Sequence, residues 1–123
     1  PPTLISFAIA PILAQEVISN EFKEAGHPVY LFGTDDVTDY EGLKAGFESF
    51  HQLCVAGKVK AAWALTDGGV AEAVMKMSMG NGFGFEFDSA LTLEDTFGYC
   101  YGFFVVCGRT FNFIVIIHKR CFI

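Results

Sequence analysis

The sequence predicts a single α/β domain in which a mixed β-sheet carries two main helices packed on one face. Three observations predict it. Apolar, β-leaning runs recur at residues 4–12, 29–32, 59–65, 83–87, 101–107 and 111–118, most of them bounded by glycine, proline or polar residues. Two segments between them, about residues 39–56 and 69–79, change to a helical period. At 123 residues the chain is one domain, long enough to bury roughly two-thirds of its unfolded surface. The order strand, strand, helix, strand, helix, strand, strand, strand is that of a layered α/β fold.

Each element has its own warrant. Residues 4–12 are almost continuously apolar and read as a strand. Residues 13–25 are mixed, with room for a short turn or helix at 15–18. Gly26 to Pro28 break the chain, and Val29-Tyr30-Leu31-Phe32 follows as a short buried strand closed by Gly33. Leu43, Phe47, Phe50 and Cys54 step by four, three and four, so they share one stripe of a helix. Asp39 is its expected N-cap and Gly57 its expected C′ residue. Gly42 and Gly46 inside it permit close approach to a sheet or are simply tolerated. Val70, Ala73, Val74 and Met77 form the inner face of the second helix, which Gly80-Asn81-Gly82 ends. Phe83, Phe85 and Phe87 alternate with Gly84, Glu86 and Asp88, the period of a half-buried strand. Residues 90–96 suit a helical turn. Gly108-Arg109-Thr110 allows a tight hairpin between the last two strands.

Composition narrows the function classes. The chain is 52% hydrophobic, 18% charged and 15% aromatic with 14 Phe, and its mean hydropathy is +0.40. That is high for a soluble domain of this size. Either both sheet faces are covered or part of the surface normally meets something else. A net charge of −6 and a pI near 4.8 argue against nucleic-acid binding, which needs a clustered basic face. Residues 99–117 are the most apolar region, but Arg109 and Asn112 divide it into pieces shorter than the ~20 residues a membrane helix needs. Pro1-Pro2-Thr3, without a basic region or initiating Met, reads as an internal boundary of a longer chain and not as a signal peptide. The cysteines at 54, 100, 107 and 121 make neither a CxxC pair nor a zinc spacing. They read as buried reduced thiols, as suits a cytoplasmic protein.

Chemistry concentrates at Thr66-Asp67-Gly68-Gly69-Val70, where an apolar strand ends and a helix begins at once. Paired glycines let backbone N–H groups approach a ligand, and a helix N-terminus carries about half a positive charge. Asp67 suits a Mg²⁺ or a ligand hydroxyl. The alternative is that Asp67 caps the helix and Gly68-Gly69 is a plain tight turn; spacing favours neither. The acidic group Asp35, Asp36 and Asp39 reads as a solvated loop before a cation site. His27, His51 and His118 are dispersed and build no triad. Met75, Met77 and Met79 cannot share a helix face and read as packing.

Several anchors in order resemble a known family. Pro1-Pro2-Thr3-Leu4-Ile5-Ser6-Phe7-Ala8, Gly57-Lys58-Val59, Gly68-Gly69-Val70-Ala71-Glu72-Ala73-Val74-Met75-Lys76-Met77, Gly80-Asn81, Gly84-Phe85-Glu86-Phe87 and Tyr101-Gly102-Phe103-Phe104-Val105-Val106 resemble the C-terminal subdomain of a synthetase half in phosphoribosylformylglycinamidine synthase, in its long single-chain bacterial form. The resemblance covers residues 1–107; residues 108–123 are a divergent tail of the same single domain. It implies membership of the aminoimidazole ribonucleotide synthetase-like superfamily. There, an ATP-dependent C–N ligase of de novo purine synthesis converts formylglycinamide ribonucleotide to the amidine, with ammonia from a glutaminase domain. The implied cofactors are ATP and Mg²⁺ in the intact enzyme, held mostly by an N-terminal subdomain. The implied partners are that subdomain and the glutaminase domain. A homodimer through exposed apolar surface is a further expectation. Asp67, Gly68 and Gly69 would line a ligand or phosphate site at the cleft between subdomains, and no catalytic residue lies in this stretch. Phe103 departs from the family's small polar residue after Tyr-Gly and points toward the auxiliary half, although either half fits. On this reading the chain by itself is inactive. A structural or interaction module, and a stand-alone nucleotide-phosphate-binding domain of the same superfamily, are the alternatives.

Overall fold

A computed structural model describes residues 2–33, 38–87, 91–99, 102–108 and 117–121, the last as backbone. Four strands, β1 (Val29–Phe32), β2 (Val59–Ala64), β3 (Phe104–Gly108) and β4 (Ile117–Cys121), form one sheet in the order β2-β3-β1-β4. The helices are α1 (Tyr40–Val55), α2 (Gly69–Met79) and the short α3 (Leu93–Phe97). The α/β class expected from the sequence is therefore observed. Two details of that expectation are corrected.

First, the sheet is not mixed: every pairing among the described strands is antiparallel. Second, α1 and α2 do not share a face. In register, Val29 and Leu31 lie beside Cys107 and Val105, which lie beside Ala61 and Trp63. These side chains point to one side of the sheet, and Phe32, Phe104, Ala62 and Ala64 point to the other. Ala73, Val74 and Met77 of α2 join the first set in one buried cluster with Phe22 and Phe103. Phe47 and Phe50 of α1 meet the second set: Phe50 stacks on Phe104 at 4.5 Å and tilts against Phe32 at 5.8 Å, and Phe47 meets Phe104 edge-on at 5.8 Å. Period-two alternation makes both faces of β1 and β3 apolar, so each face recruits its own helix.

Local chemistry sets the helix ends as expected. The Asp39 carboxylate accepts the Gly42 N–H at 3.0 Å, a cap of about 1 kcal/mol. A Cβ on Gly42 would meet that carboxylate, whereas Gly46 faces open space, so neither glycine serves contact with the sheet. Gly57 ends α1 at φ +66, where a side chain would be strained. The helical turn expected at 90–96 is α3, closed by a capping box between Thr92 and Asp95.

Three expected strands or connections are not formed. Residues 4–12 form no strand and lie exposed. Residues 83–87 alternate as predicted, with Phe83 and Phe85 packed on the core and Phe87 outside it, but they join no ladder. They pack by side chain alone; Phe85 stacks on buried Phe22 at 5.9 Å. β3 is flanked by β2 and β1, and β4 pairs with β1, so β3 and β4 are not a hairpin pair; the expected turn at Arg109-Thr110 and residues 111–116 lie outside the described residues. The short turn near residue 15 is a 3₁₀ turn, Ala14–Glu16. Asp35, Asp36 and Cys100 lie outside the described residues. Cys54 and Cys107 are free thiols, and desolvation raises both pKa values, that of Cys107 to about 11. Both act as packing groups.

Candidate functional site

The β2–α2 junction is built from Leu65 outward. Leu65 is buried and its N–H donates to the Phe103 carbonyl at 2.9 Å, which ties the end of β2 to the approach to β3. Thr66 and Asp67 then emerge exposed, and α2 starts at Gly69 with Gly68 as N-cap. Gly69 is buried with φ +63, and a Cβ there would lie 2.7 Å from the Gly98 carbonyl oxygen. The glycine is required twice, by its left-handed backbone and by the close approach of the chain leaving α3.

Glu72 organises the turn, and the sequence reading did not single it out. One carboxylate oxygen accepts the Thr66 hydroxyl at 2.6 Å and the Gly68 N–H at 3.0 Å; the other accepts Lys76 Nζ at 2.5 Å. Three donors on one carboxylate hold its pKa down at about 2, with the Lys76 hydrogen bond the largest contribution, then Thr66, then Gly68. Lys76 also lies over the Trp63 ring at 5.1 Å, so the ion pair is anchored to β2. The sequence signal was a glutamate in the first turn of a helix whose N-cap has no side chain of its own.

This places the three expected site residues clearly. Asp67 is exposed and is not the cap, since the carboxylate at the Gly68 N–H belongs to Glu72. The Gly69 N–H donates to the Thr66 carbonyl at 3.0 Å. The turn therefore does hold an anion, and that anion is a side chain of its own helix. Asp67 has no further ligands beside it to complete a Mg²⁺ site: no group of three His, Cys, Asp or Glu that could hold a metal occurs among the described residues. No described helix is long and apolar enough to cross a membrane.

On the opposite face of the sheet a cleft of about 410 Å³ opens between α1, the middle of β2 and the segment around the 3₁₀ turn, lined by Ile12, Val17, Phe50, Cys54, Val55 and Ala62 together with Glu16 and His51. It is apolar, and the raised Cys54 pKa disfavours the thiolate that nucleophilic chemistry would need.

No protein-family model and no curated protein matches the sequence. A solved structure does: T. maritima PurL complexed with ATP superposes with a TM-score of 0.63 at 16% identity, over 78% of this chain and 19% of that one. The chain thus spans about a fifth of the length of the protein it matches. At this identity the likeness is one of fold, and the chain has a PurL-like α/β fold.

Proposed function

We propose that the chain is the C-terminal subdomain of a synthetase half from an enzyme of the phosphoribosylformylglycinamidine synthase type. In that role it belongs to a cytoplasmic ATP-dependent C–N ligase that turns formylglycinamide ribonucleotide into its amidine. The observation that carries the reading is the superposition on one-fifth of an ATP-bound PurL. The ordered anchors from Pro1 to Val106 support it from the sequence side.

The chain's share of the work would be positional. Asp67, Gly68 and Gly69 stand at the mouth of a strand–helix junction, where backbone donors favour an anionic ligand group. Glu72 already neutralises that junction, so a phosphate would compete with an internal carboxylate held by three donors. The described residues do not make a Mg²⁺ site. ATP and Mg²⁺ contacts would come chiefly from an N-terminal synthetase subdomain, and ammonia from a glutaminase domain, both in a longer chain.

The pre-neutralised junction favours a second reading, in which the domain is a packing module whose glycine turn is structural. Calorimetric titration with ATP, ADP and formylglycinamide ribonucleotide separates the two. The synthetase reading expects weak, saturable binding that Glu72→Gln strengthens, because the competing charge is gone, and that Asp67→Asn alters. Absence of heat with all three ligands, for the wild type and for Glu72→Gln, would leave the packing module.

A further inference from the structure

Two apolar features of the fold are left uncovered by the described residues. The first is the segment Leu4 to Leu13. Ile5, Phe7 and Ile9 are 83%, 84% and 79% exposed. In an extended chain they fall on one side, with Ser6, Ala8 and Ala10 on the other. The segment has strand composition and no charged residue before Glu16, yet it forms no strand. The second is the outer edge of β2. β2 ends the sheet order and pairs only with β3 among the described strands. A register shift at Lys60 blunts its start, and Ala61 to Ala64 continue in regular register. Ala62, small, opens into the apolar cleft of about 410 Å³.

We propose that Leu4 to Leu13 is an exchange arm, which adds as a strand to the β2 edge of a second copy of this chain and seats Ile5, Phe7 and Ile9 in that copy's cleft. The second copy returns the same contact. Three points favour this occupant. Ile12 at the base of the arm, and Val17 just beyond it, line the cleft of their own protomer, so donor and acceptor are adjacent, as a closed two-fold exchange needs. The arm leaves the domain uncovered, so its length reaches a neighbour. Three large apolar side chains per arm (Ile5, Phe7, Ile9), at ~100 Å² each, bring two arms with the equal surfaces they cover to about 1,200 Å², the lower end of the range of a stable interface. Charge selects the pairing mode: Lys58 and Lys60 repel a second β2 edge laid against the first, whereas an uncharged arm meets no such barrier. Large side chains on the arm meet small ones on β2.

Sedimentation velocity on the whole chain, from low to high micromolar concentration, tests the proposal. The wild type is expected to form a closed dimer. Phe7→Asp is expected to weaken it by at least roughly tenfold, and Phe7→Leu to retain it. Phe7 is exposed in the protomer, so circular dichroism of Phe7→Asp should match the wild type. Arm exchange is overturned by a wild type that stays monomeric throughout, by a dimer indifferent to Phe7→Asp, or by open-ended assembly in place of a dimer.

Discussion

The two faces of the sheet are covered differently. On one, α2 buries Gly69, Ala73, Val74 and Met77, and Met77 and Ala73 are wholly inaccessible. On the other, the longer α1 buries no residue, and Phe47 remains 42% exposed. Residue size accounts for the difference. Small residues let α2 approach the sheet closely, and its C-terminal end is tied down: the Phe22 N–H donates to the Met77 carbonyl at 2.9 Å, and the Asn81 side-chain amide donates to the Phe22 carbonyl at 2.8 Å. Phenylalanine rings keep α1 a ring's thickness away and leave the cleft beside Cys54 and Val55 open. The α2 face is a finished core, and the α1 face keeps an open apolar cleft.

Substitutions sharpen this contrast. Met77→Ala should destabilise most, by about 3–4 kcal/mol, because it empties a fully buried site. Phe50→Ala should cost about half as much, since its ring is only partly covered. Urea midpoints measure both, and equal losses would erase the distinction between the faces.

Gly69→Ala comes next, at about 2 kcal/mol or more, because the new Cβ meets both a left-handed backbone and the Gly98 carbonyl. Gly46→Ala, in open space within α1, should instead gain up to about 1 kcal/mol. Thermal melts of the pair would show opposite shifts.

The smallest effect is a pH dependence. The Glu72 carboxylate titrates near 2 in the folded chain against 4.5 for an ordinary glutamate. The unfolded chain therefore takes up its proton first. The stabilisation is complete above about pH 4.5 and is lost as pH falls toward 2. Glu21, held near 2 chiefly by Lys23, behaves alike. Glu72→Gln should flatten the slope of urea midpoint against pH across that window, and added salt should shrink the Lys76 part because the pair is solvent-exposed. An unchanged slope would mean that Glu72 does not hold the turn.

Much of the fold was legible in the sequence. Asp39 and Gly57 bracket α1, the spacing of Val70, Ala73, Val74 and Met77 marks the inner face of α2, and the apolar runs mark β1 and β2 almost to the residue. These rest on local rules of period, cap and turn. The candidate junction was legible as a position but not as a network. Asp67 drew attention by adjacency to the glycines, whereas the carboxylate at the Gly68 N–H comes from Glu72, one helical turn on.

By itself the sequence determined the helices with their ends and the positions of β1 and β2, because each is fixed by a few neighbouring residues. Tertiary structure decided what no neighbour specifies. It set the strand order β2-β3-β1-β4, the antiparallel pairings and the division of α1 and α2 between the faces. It also left residues 4–12 and 83–87 outside the ladder despite their composition. A strand exists only when another backbone supplies its hydrogen bonds, and a period-two pattern records a preference for that partner without naming it.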